Sequence, residues 1–299
     1  MTYPPATRVL LGRSPGQIAR IARTLVRDTY AKTLVAVGGA GARAGRRVVL
    51  RGYAHEHLPL PTELAIGDHG FDVVADLVAY TGLDRAVVEA LLRRELDSFR
   101  SEWYLTPSRL RVDDWYYRST SAYLFGNATH VHQDPDLVDA ITAPFSEVGA
   151  ALEFGGGTGN LSLALAARGW TVDYLERSAI QKDFTAFRAD RHALRARLRV
   201  LDDWQPIPEA RYDLIIALDV LEHIADLRTV LADRIVPALK PGGILAESSP
   251  FVRSIANPMH HVHPRFDAWL GELGLTIEGD TAHCRFWRRG ITGRTSAAA

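Results

Sequence analysis

The chain has 299 residues, 47% of them hydrophobic, which suffices for a sizeable core and for one or two domains. Its 35 basic residues balance 35 acidic ones, so no net positive charge favours binding to nucleic acid or to an anionic membrane. The single cysteine excludes an internal disulfide and a thiolate metal cluster, and the lack of a signal peptide or an 18-residue apolar run predicts a cytoplasmic protein.

Helical spacing dominates the first part of the chain. Apolar residues at that spacing predict two amphipathic helices over residues 72–80 and 84–103, joined by a turn at 81–82. The sequence therefore predicts a mainly helical N-terminal region over residues 1–135. We expect this region to cap a substrate pocket or to form an interface.

Aromatic, hydroxyl and imidazole side chains are concentrated in residues 115–132. One interpretation is an aromatic-rich helix that docks on the rest of the protein. The other is a wall of a substrate pocket, because such pockets combine aromatic faces with a few polar groups. Under the second interpretation Tyr123 is a candidate catalytic residue.

From residue 149 onward, predicted strands alternate with predicted helices. This alternation favours a parallel sheet covered by helices on both faces. The predicted strands are 150–154, 171–176, 197–201, 212–218 and 243–247, and the predicted helices are 161–168, 179–194, 227–239 and 266–273. Residues 275–278 and 283–287 predict a closing antiparallel hairpin.

A glycine-rich loop follows the first strand of this pattern, in Leu-Glu-Phe-Gly-Gly-Gly-Thr-Gly-Asn over residues 152–160. Its glycines allow the backbone to turn tightly out of the strand and to approach a ligand closely. The dinucleotide-binding fingerprint G-x-G-x-x-G does not fit. Its third glycine would fall on Asn160 in one register and on Ser162 in the other.

Further motifs follow the glycine loop in order. Glu176 ends the second predicted strand, where a carboxylate can accept hydrogen bonds from ribose hydroxyls. The fourth strand runs into Asp219 and the sequence Asp-Val-Leu-Glu-His, and residues 239–243 read Leu-Lys-Pro-Gly-Gly. Over about half of the chain, this series resembles the class I S-adenosylmethionine-dependent methyltransferases, and the small-molecule methyltransferases among them.

The resemblance implies a fold, a cofactor and its binding residues. The fold would be a doubly wound α/β domain over residues 136–291, with a mostly parallel seven-stranded sheet, and residues 292–299 would be a disordered tail. The cofactor would be S-adenosylmethionine, held by Glu153, Gly155, Gly157, Gly159, Glu176, Asp202, Asp203 and Asp219. In the family pattern Glu153 orients the loop, Glu176 binds the ribose and Asp219 lies near the sulfonium. Either Asp202 or Asp203 would contact the adenine.

Histidines supply the candidate bases. His223 follows the fourth strand, and His261 lies in the loop 257–264, which resembles a substrate-side loop of related enzymes. The spacing of Asp219, Glu222 and His223 also resembles a metal site of some ubiquinone-pathway and small-RNA methyltransferases, to which a histidine of residues 260–263 would be added. Aspartate replaces the first glutamate here, and Leu-Glu-His is common in metal-free members. We therefore expect a metal-free site with His223, His261 and Tyr123 as catalytic candidates.

The expected activity is methyl transfer to an oxygen or nitrogen of a small molecule, in specialised metabolism. We expect no nucleic-acid or membrane partner, and a homodimer is compatible with the sequence. Two alternatives stay open at this point. One is methylation of a peptide or protein gripped by the N-terminal region, and the other is a regulatory protein that binds the cofactor without turnover.

Overall fold

A computed structural model describes residues 70–92, 123–129, 136–202, 205–253 and 259–291. The chain divides into two compact units. Residues 1–67 and 72–131 form the first unit, and residues 68–71 and 132–299 form the second. No helix within the described residues is long and apolar enough to cross a membrane.

The described part of the first unit is helical. It contains α1 (Val73–Thr81), α2 (Arg85–Leu92) and α3 (Tyr123–Thr129). The Asp72 side chain caps α1 by accepting a hydrogen bond from the Ala75 N–H at 2.9 Å. Gly82 ends the helix in the left-handed conformation, with φ at 67°. These two caps explain why the helix has nearly the bounds that the sequence predicts.

The remaining N-terminal predictions are described only in part. The predicted helix over 84–103 is described as far as Leu92, and residues 115–122 and 130–132 lie outside the described residues. Within α3 of the aromatic stretch, Leu124, Phe125 and Ala128 are buried. This helix therefore has a buried apolar face.

The second unit contains the predicted seven-stranded sheet. Its strands are β1 (Ala150–Phe154), β2 (Thr171–Leu175), β3 (Leu198–Leu201), β4 (Tyr212–Leu218), β5 (Leu239–Ser248), β6 (Leu275–Asp280) and β7 (Arg285–Arg289). The strand order is β3-β2-β1-β4-β5-β7-β6. The first five strands pair in parallel, whereas β7 is antiparallel to both β5 and β6. The predicted mostly parallel sheet with a closing hairpin is confirmed.

Helices cover both faces of this sheet. They are α4 (Leu137–Thr142), α5 (Asn160–Ala167), α6 (Ala179–Arg191), α7 (Leu227–Val230), α8 (Val236–Ala238) and α9 (Phe266–Glu272). Successive strand residues point to opposite faces, and the buried residues accordingly form two clusters. Ala151, Leu214 and Ile216 belong to one cluster, and Leu152 and Ile215 belong to the other. Burial on both faces explains why the central strands are continuous apolar runs.

Two elements differ most from their predictions. The predicted helix over 227–239 is divided, because a π-helical turn at Leu231–Ile235 separates α7 from α8. Pro237 has no N–H to donate, so a regular helix cannot continue unchanged through it. The fifth strand begins four residues before its predicted start at Gly243, because Leu239 pairs with Tyr212 across an irregularity in the β4–β5 register.

Candidate functional site

The glycine-rich loop connects the end of β1 to the start of α5. Gly155 and Gly159 have φ angles of 77° and 74°, in the left-handed region that favours glycine. A Cβ on Gly155 would lie 2.3 Å from a methyl carbon of Val220, and one on Gly159 would lie 2.5 Å from a methyl carbon of Thr185. The loop therefore packs closely against the segment after β4 and against α6, and it brings bare backbone to the carboxyl edge of the sheet.

The Glu153 side chain stabilises this loop through hydrogen bonds. Its buried side chain accepts a hydrogen bond from the Ser162 N–H at 2.9 Å and another from the Ser162 hydroxyl. Burial raises the pKa of the Glu153 carboxyl to about 7, although both hydrogen bonds oppose that shift. The side chain thus joins the end of β1 to the first turn of α5.

Glu176 lies at the end of β2, beside the same loop. Its Oε2 accepts the Gly157 N–H at 3.1 Å, and its Oε1 accepts the N–H groups of Arg177 and Ser178 at 2.7 and 2.9 Å. Burial raises the pKa of this carboxyl, while the backbone donors and the nearby Lys182 lower it. A carboxylate has about four lone-pair sites, so Oε2 retains capacity to accept one more donor.

Two buried side chains that the sequence interpretation missed also hold the loop. The Tyr174 hydroxyl donates to the Gly157 carbonyl oxygen. Arg188, on α6, donates through Nη1 to the Thr158 carbonyl oxygen at 2.8 Å and to the Asn160 side-chain oxygen. Both residues are fully buried. A charged residue at helical spacing from the buried Phe184 was the one sequence signal that could have identified Arg188.

The acids after β3 are described only in part. Asp202 has a side chain that is 71% exposed, and its carboxylate lies 3.7 Å from the ammonium group of Lys182. Asp203 lies outside the described residues. Because Lys182 also contributes to the electrostatics of Glu176, the predicted adenine-side acid lies close to the end of β2.

Asp219 follows β4 in an unusual backbone conformation. Its φ angle is 49°, which is uncommon for a residue other than glycine, although aspartate is among those that tolerate it. The Asp219 N–H donates to the Ser248 carbonyl oxygen at 2.7 Å, which fixes the ends of β4 and β5 together. Burial raises the pKa of the Asp219 carboxyl to about 6.

A carboxylate and two imidazoles converge beside this turn. Glu222 and His223 lie in a short 3₁₀ helix (Leu221–His223), and His260 lies in the segment after β5. One possible ligand atom from each of these three residues lies within 4.8 Å of the other two. The His223 and His260 ring centroids are 4.7 Å apart. We call Glu222, His223 and His260 the post-strand cluster.

The Glu222 carboxylate is the most buried member of the post-strand cluster. Its side chain is 1% exposed, and its Oε2 has no hydrogen-bond partner among the described residues. Burial raises the pKa of this carboxyl to about 8, and the carboxylates of Asp219 and Glu247 add to that effect. The described surroundings of Glu222 therefore compensate the negative charge of its ionised form poorly.

The neighbouring histidines have other contacts. The His261 backbone N–H donates to the Glu222 carbonyl oxygen at 2.6 Å, and its ring stacks on that of His263. The His263 ring lies with Nε2 2.9 Å from the Ile224 carbonyl oxygen. The sequence interpretation grouped Asp219, Glu222 and His223 with a histidine of the 260–263 loop as a possible metal site, and it chose His261 as a candidate base. The structure brings His260 of that loop, rather than His261, to Glu222 and His223, and Asp219 is not part of the group.

The third catalytic candidate cannot be placed in this site. Tyr123 lies at the start of α3, in the first unit, and its side chain lies outside the described residues. The other candidates lie at the ends of β1 to β5 or in the segments that follow them, at the carboxyl edge of the sheet, where open α/β sheets bind their ligands. The arrangement provides a backbone cradle, buried carboxylates and a group of imidazoles side by side.

Comparison with known proteins gives one family match. A family described as a methyltransferase domain matches residues 129–290. None of the curated proteins is similar enough to the chain to match it.

Solved structures resemble parts of the chain. A Methanococcus maripaludis protein assigned as an S-adenosyl-L-methionine-dependent methyltransferase is 18% identical, with a TM-score of 0.45, over 54% of this chain and 86% of its own. The cyclase SpnF is 20% identical, with a TM-score of 0.43, over 55% and 64% of the two chains. A geranyl diphosphate methyltransferase solved with S-adenosylmethionine is 16% identical, with a TM-score of 0.44, over 54% and 73%. Sequence identities and TM-scores this low do not indicate that these proteins share a function with this chain.

Proposed function

The chain belongs to the methyltransferase-domain family matched by residues 129–290, and we propose that it methylates an oxygen or nitrogen atom of a small molecule. The cofactor is S-adenosylmethionine. The observation that carries the proposal is a hydrogen bond between the glycine loop and a buried carboxylate at the end of the neighbouring strand. In it the Gly157 N–H donates to Glu176. The loop exposes backbone and the carboxylate retains an acceptor site, which suits a nucleoside with ribose hydroxyls.

We assign the cofactor-binding roles by position in the fold. Glu176 would accept a ribose hydroxyl through Oε2, Asp219 would face the methionine end, and Asp202 or Asp203 would contact the adenine. The loop glycines, Gly155, Gly157 and Gly159, would line the backbone approach. Glu153 would support the loop without contacting the cofactor, because its carboxylate accepts hydrogen bonds from Ser162 and keeps the loop in place.

The cofactor supplies an activated methyl group on a sulfonium, so the protein contributes mainly orientation and exclusion of water. A base is needed only where the acceptor arrives protonated. His223 and His261 are our candidates for that base because both lie next to the turn that follows β4. Tyr123 stays a candidate for contact with the acceptor.

A small-molecule acceptor agrees with the charge of the chain. Basic and acidic residues balance at 35 each, and no excess of positive charge is available for RNA. We further propose a role in specialised metabolism, and a cytoplasmic location and a homodimer stay predictions. Peptide methylation is the main alternative enzyme activity, and cofactor binding without turnover is the alternative outside the enzymes.

Transfer of labelled methyl groups tests the proposal. Purified protein would be incubated with methyl-labelled S-adenosylmethionine and, separately, with a metabolite extract and a peptide library. We expect mass spectrometry to find label in a small molecule, on oxygen or nitrogen. Label in peptides alone would establish the alternative acceptor. Cofactor binding with no labelled product in either pool would contradict the proposed activity, and Glu176→Ala serves as the control with a weakened site.

A further inference from the structure

We propose that Glu222, His223 and His260, the post-strand cluster, bind a divalent transition-metal ion of the zinc class. The inference replaces the metal-free site expected from the sequence, and it draws on the positions of the three side chains. Their possible ligand atoms all lie within 4.8 Å of one another, and the residues belong to two separate segments that the fold brings together.

The spacing of the three side chains suits a metal better than it suits hydrogen bonding. The His223 Nε2 lies 3.9 Å from the Glu222 Oε1, which is too long for a hydrogen bond. Zinc ligands at 2.0–2.2 Å in tetrahedral geometry stand about 3.4 Å from one another. Small side-chain rotations would therefore bring the cluster to ligand distances without a change of backbone.

The Glu222 carboxylate supplies independent evidence for a cation. Its side chain is 1% exposed, and Oε2 has no hydrogen-bond partner among the described residues. Burying an uncompensated carboxylate costs free energy, so the carboxyl either stays protonated or is compensated by a paired charge or a metal ion. The two other carboxylates nearby, Asp219 and Glu247, repel it rather than compensate it.

The His260 ring has a backbone contact like those of metal-binding histidines. Its Nδ1 lies 3.1 Å from the Pro250 carbonyl oxygen. A carbonyl oxygen can only accept, so Nδ1 carries the hydrogen and Nε2 carries the lone pair. Metal-binding histidines characteristically donate their second ring N–H to a carboxylate or backbone carbonyl in this way. The Pro250 carbonyl thus favours the tautomer in which Nε2 can bind a metal ion.

The donor set selects the class of metal. Two imidazoles and one carboxylate suit zinc and similar first-row ions, whereas magnesium and calcium prefer oxygen ligands. Three protein ligands leave a coordination position for a water or an acceptor oxygen. Resting on the proposed function, we infer that the ion would bind an acceptor hydroxyl and promote its deprotonation. His223 would then be a ligand, which leaves His261 as the candidate base.

The test is a titration of tag-free, full-length protein with Co²⁺ as the spectroscopic substitute for Zn²⁺. We expect one ion per chain, with visible ligand-field bands typical of four or five ligands, displacement by Zn²⁺ and no displacement by Mg²⁺. Glu222→Gln, His223→Ala and His260→Ala should each weaken binding at least about tenfold. His261→Ala is the matched control, because its contact with Glu222 uses the backbone N–H and survives the substitution.

No metal binding by the wild-type protein, or an equal loss in His261→Ala, would overturn the site. X-ray absorption of the zinc-loaded wild type does not depend on variants that fold, and a spectrum without imidazole scattering would overturn it too. S-adenosylmethionine binding measured on the same samples separates the two proposals. Wild-type protein that binds the cofactor but no metal contradicts only the metal site, whereas protein that binds no cofactor contradicts the proposed function.

Discussion

Replacing Glu153 with glutamine should make the protein more stable at neutral and alkaline pH while leaving its stability at pH 4.5 almost unchanged. Burial raises the pKa of the folded-state carboxyl from its ordinary value of 4.5 to about 7. Between these values the unfolded chain ionises Glu153 while the folded chain keeps it protonated. The folded state therefore binds more protons, and its free energy of unfolding falls as the pH rises.

The expected size follows from the two pKa values. At 1.36 kcal/mol for each pH unit, the gap between 4.5 and about 7 corresponds to a loss of about 3 kcal/mol. The loss begins near pH 4.5 and is complete above pH 7. Glutamine cannot ionise, and its amide oxygen can still accept the hydrogen bonds from Ser162. Glu153→Gln should therefore avoid the loss.

Urea unfolding of the cofactor-free protein at pH 4.5, 6 and 8 measures this difference. Relative to the wild type, Glu153→Gln should gain up to about 3 kcal/mol as the pH rises to 8. Glu209→Gln removes an exposed carboxyl elsewhere and reports the general effect of one charge. Equal pH dependence in the wild type and in Glu153→Gln would refute the reasoning, since Glu153 would then ionise in the folded state as it does in the unfolded chain.

Three further predictions concern the loop and the acceptor side. Glu176→Ala should weaken S-adenosylmethionine binding by about 1.5–3 kcal/mol, the range for losing charged hydrogen bonds, and unchanged affinity in calorimetry would remove it from the cofactor site. Arg188→Met leaves the Thr158 carbonyl and Asn160 without their donor, so the free energy of unfolding should fall by about 2–4 kcal/mol. An equal loss in the exposed Arg191→Met would argue against that role. Tyr123→Phe should reduce methyl transfer in a labelled-product assay while cofactor affinity is kept, and a parallel loss of affinity would favour a purely structural helix.

The strands of the second unit could be predicted because buried strands form short, nearly continuous apolar runs in the sequence. Residues 212–218 are almost all apolar, and the structure gives β4 the same bounds. The early start of β5 could not be predicted, because it depends on the pairing of Leu239 with Tyr212 across the sheet. The π-helical turn at Leu231–Ile235 could not be predicted either, because its apolar residues have the spacing that a regular helix would also show.

The candidate site was predictable where it follows strand ends and unpredictable where it depends on tertiary contacts. The positions of the carboxylates after β2 and β4 could be predicted from motif order alone. Tyr174 and Arg188 reach the loop from residues 17 and 30 positions away in sequence, and neither belongs to a recognisable motif. The choice between the adjacent His260 and His261 depends on which ring faces Glu222, and the Pro250 carbonyl helps to determine that orientation.

Direct binding of the cofactor tests the central claim most directly. Calorimetry and thermal unfolding of the full-length protein would compare S-adenosylmethionine, its demethylated product and a nicotinamide dinucleotide. We predict that both sulfur nucleosides bind and raise the melting temperature, with a stabilisation of about 2.7 kcal/mol at a hundred times their Kd. Tight binding of the dinucleotide, with no response to either sulfur nucleoside, would contradict the account.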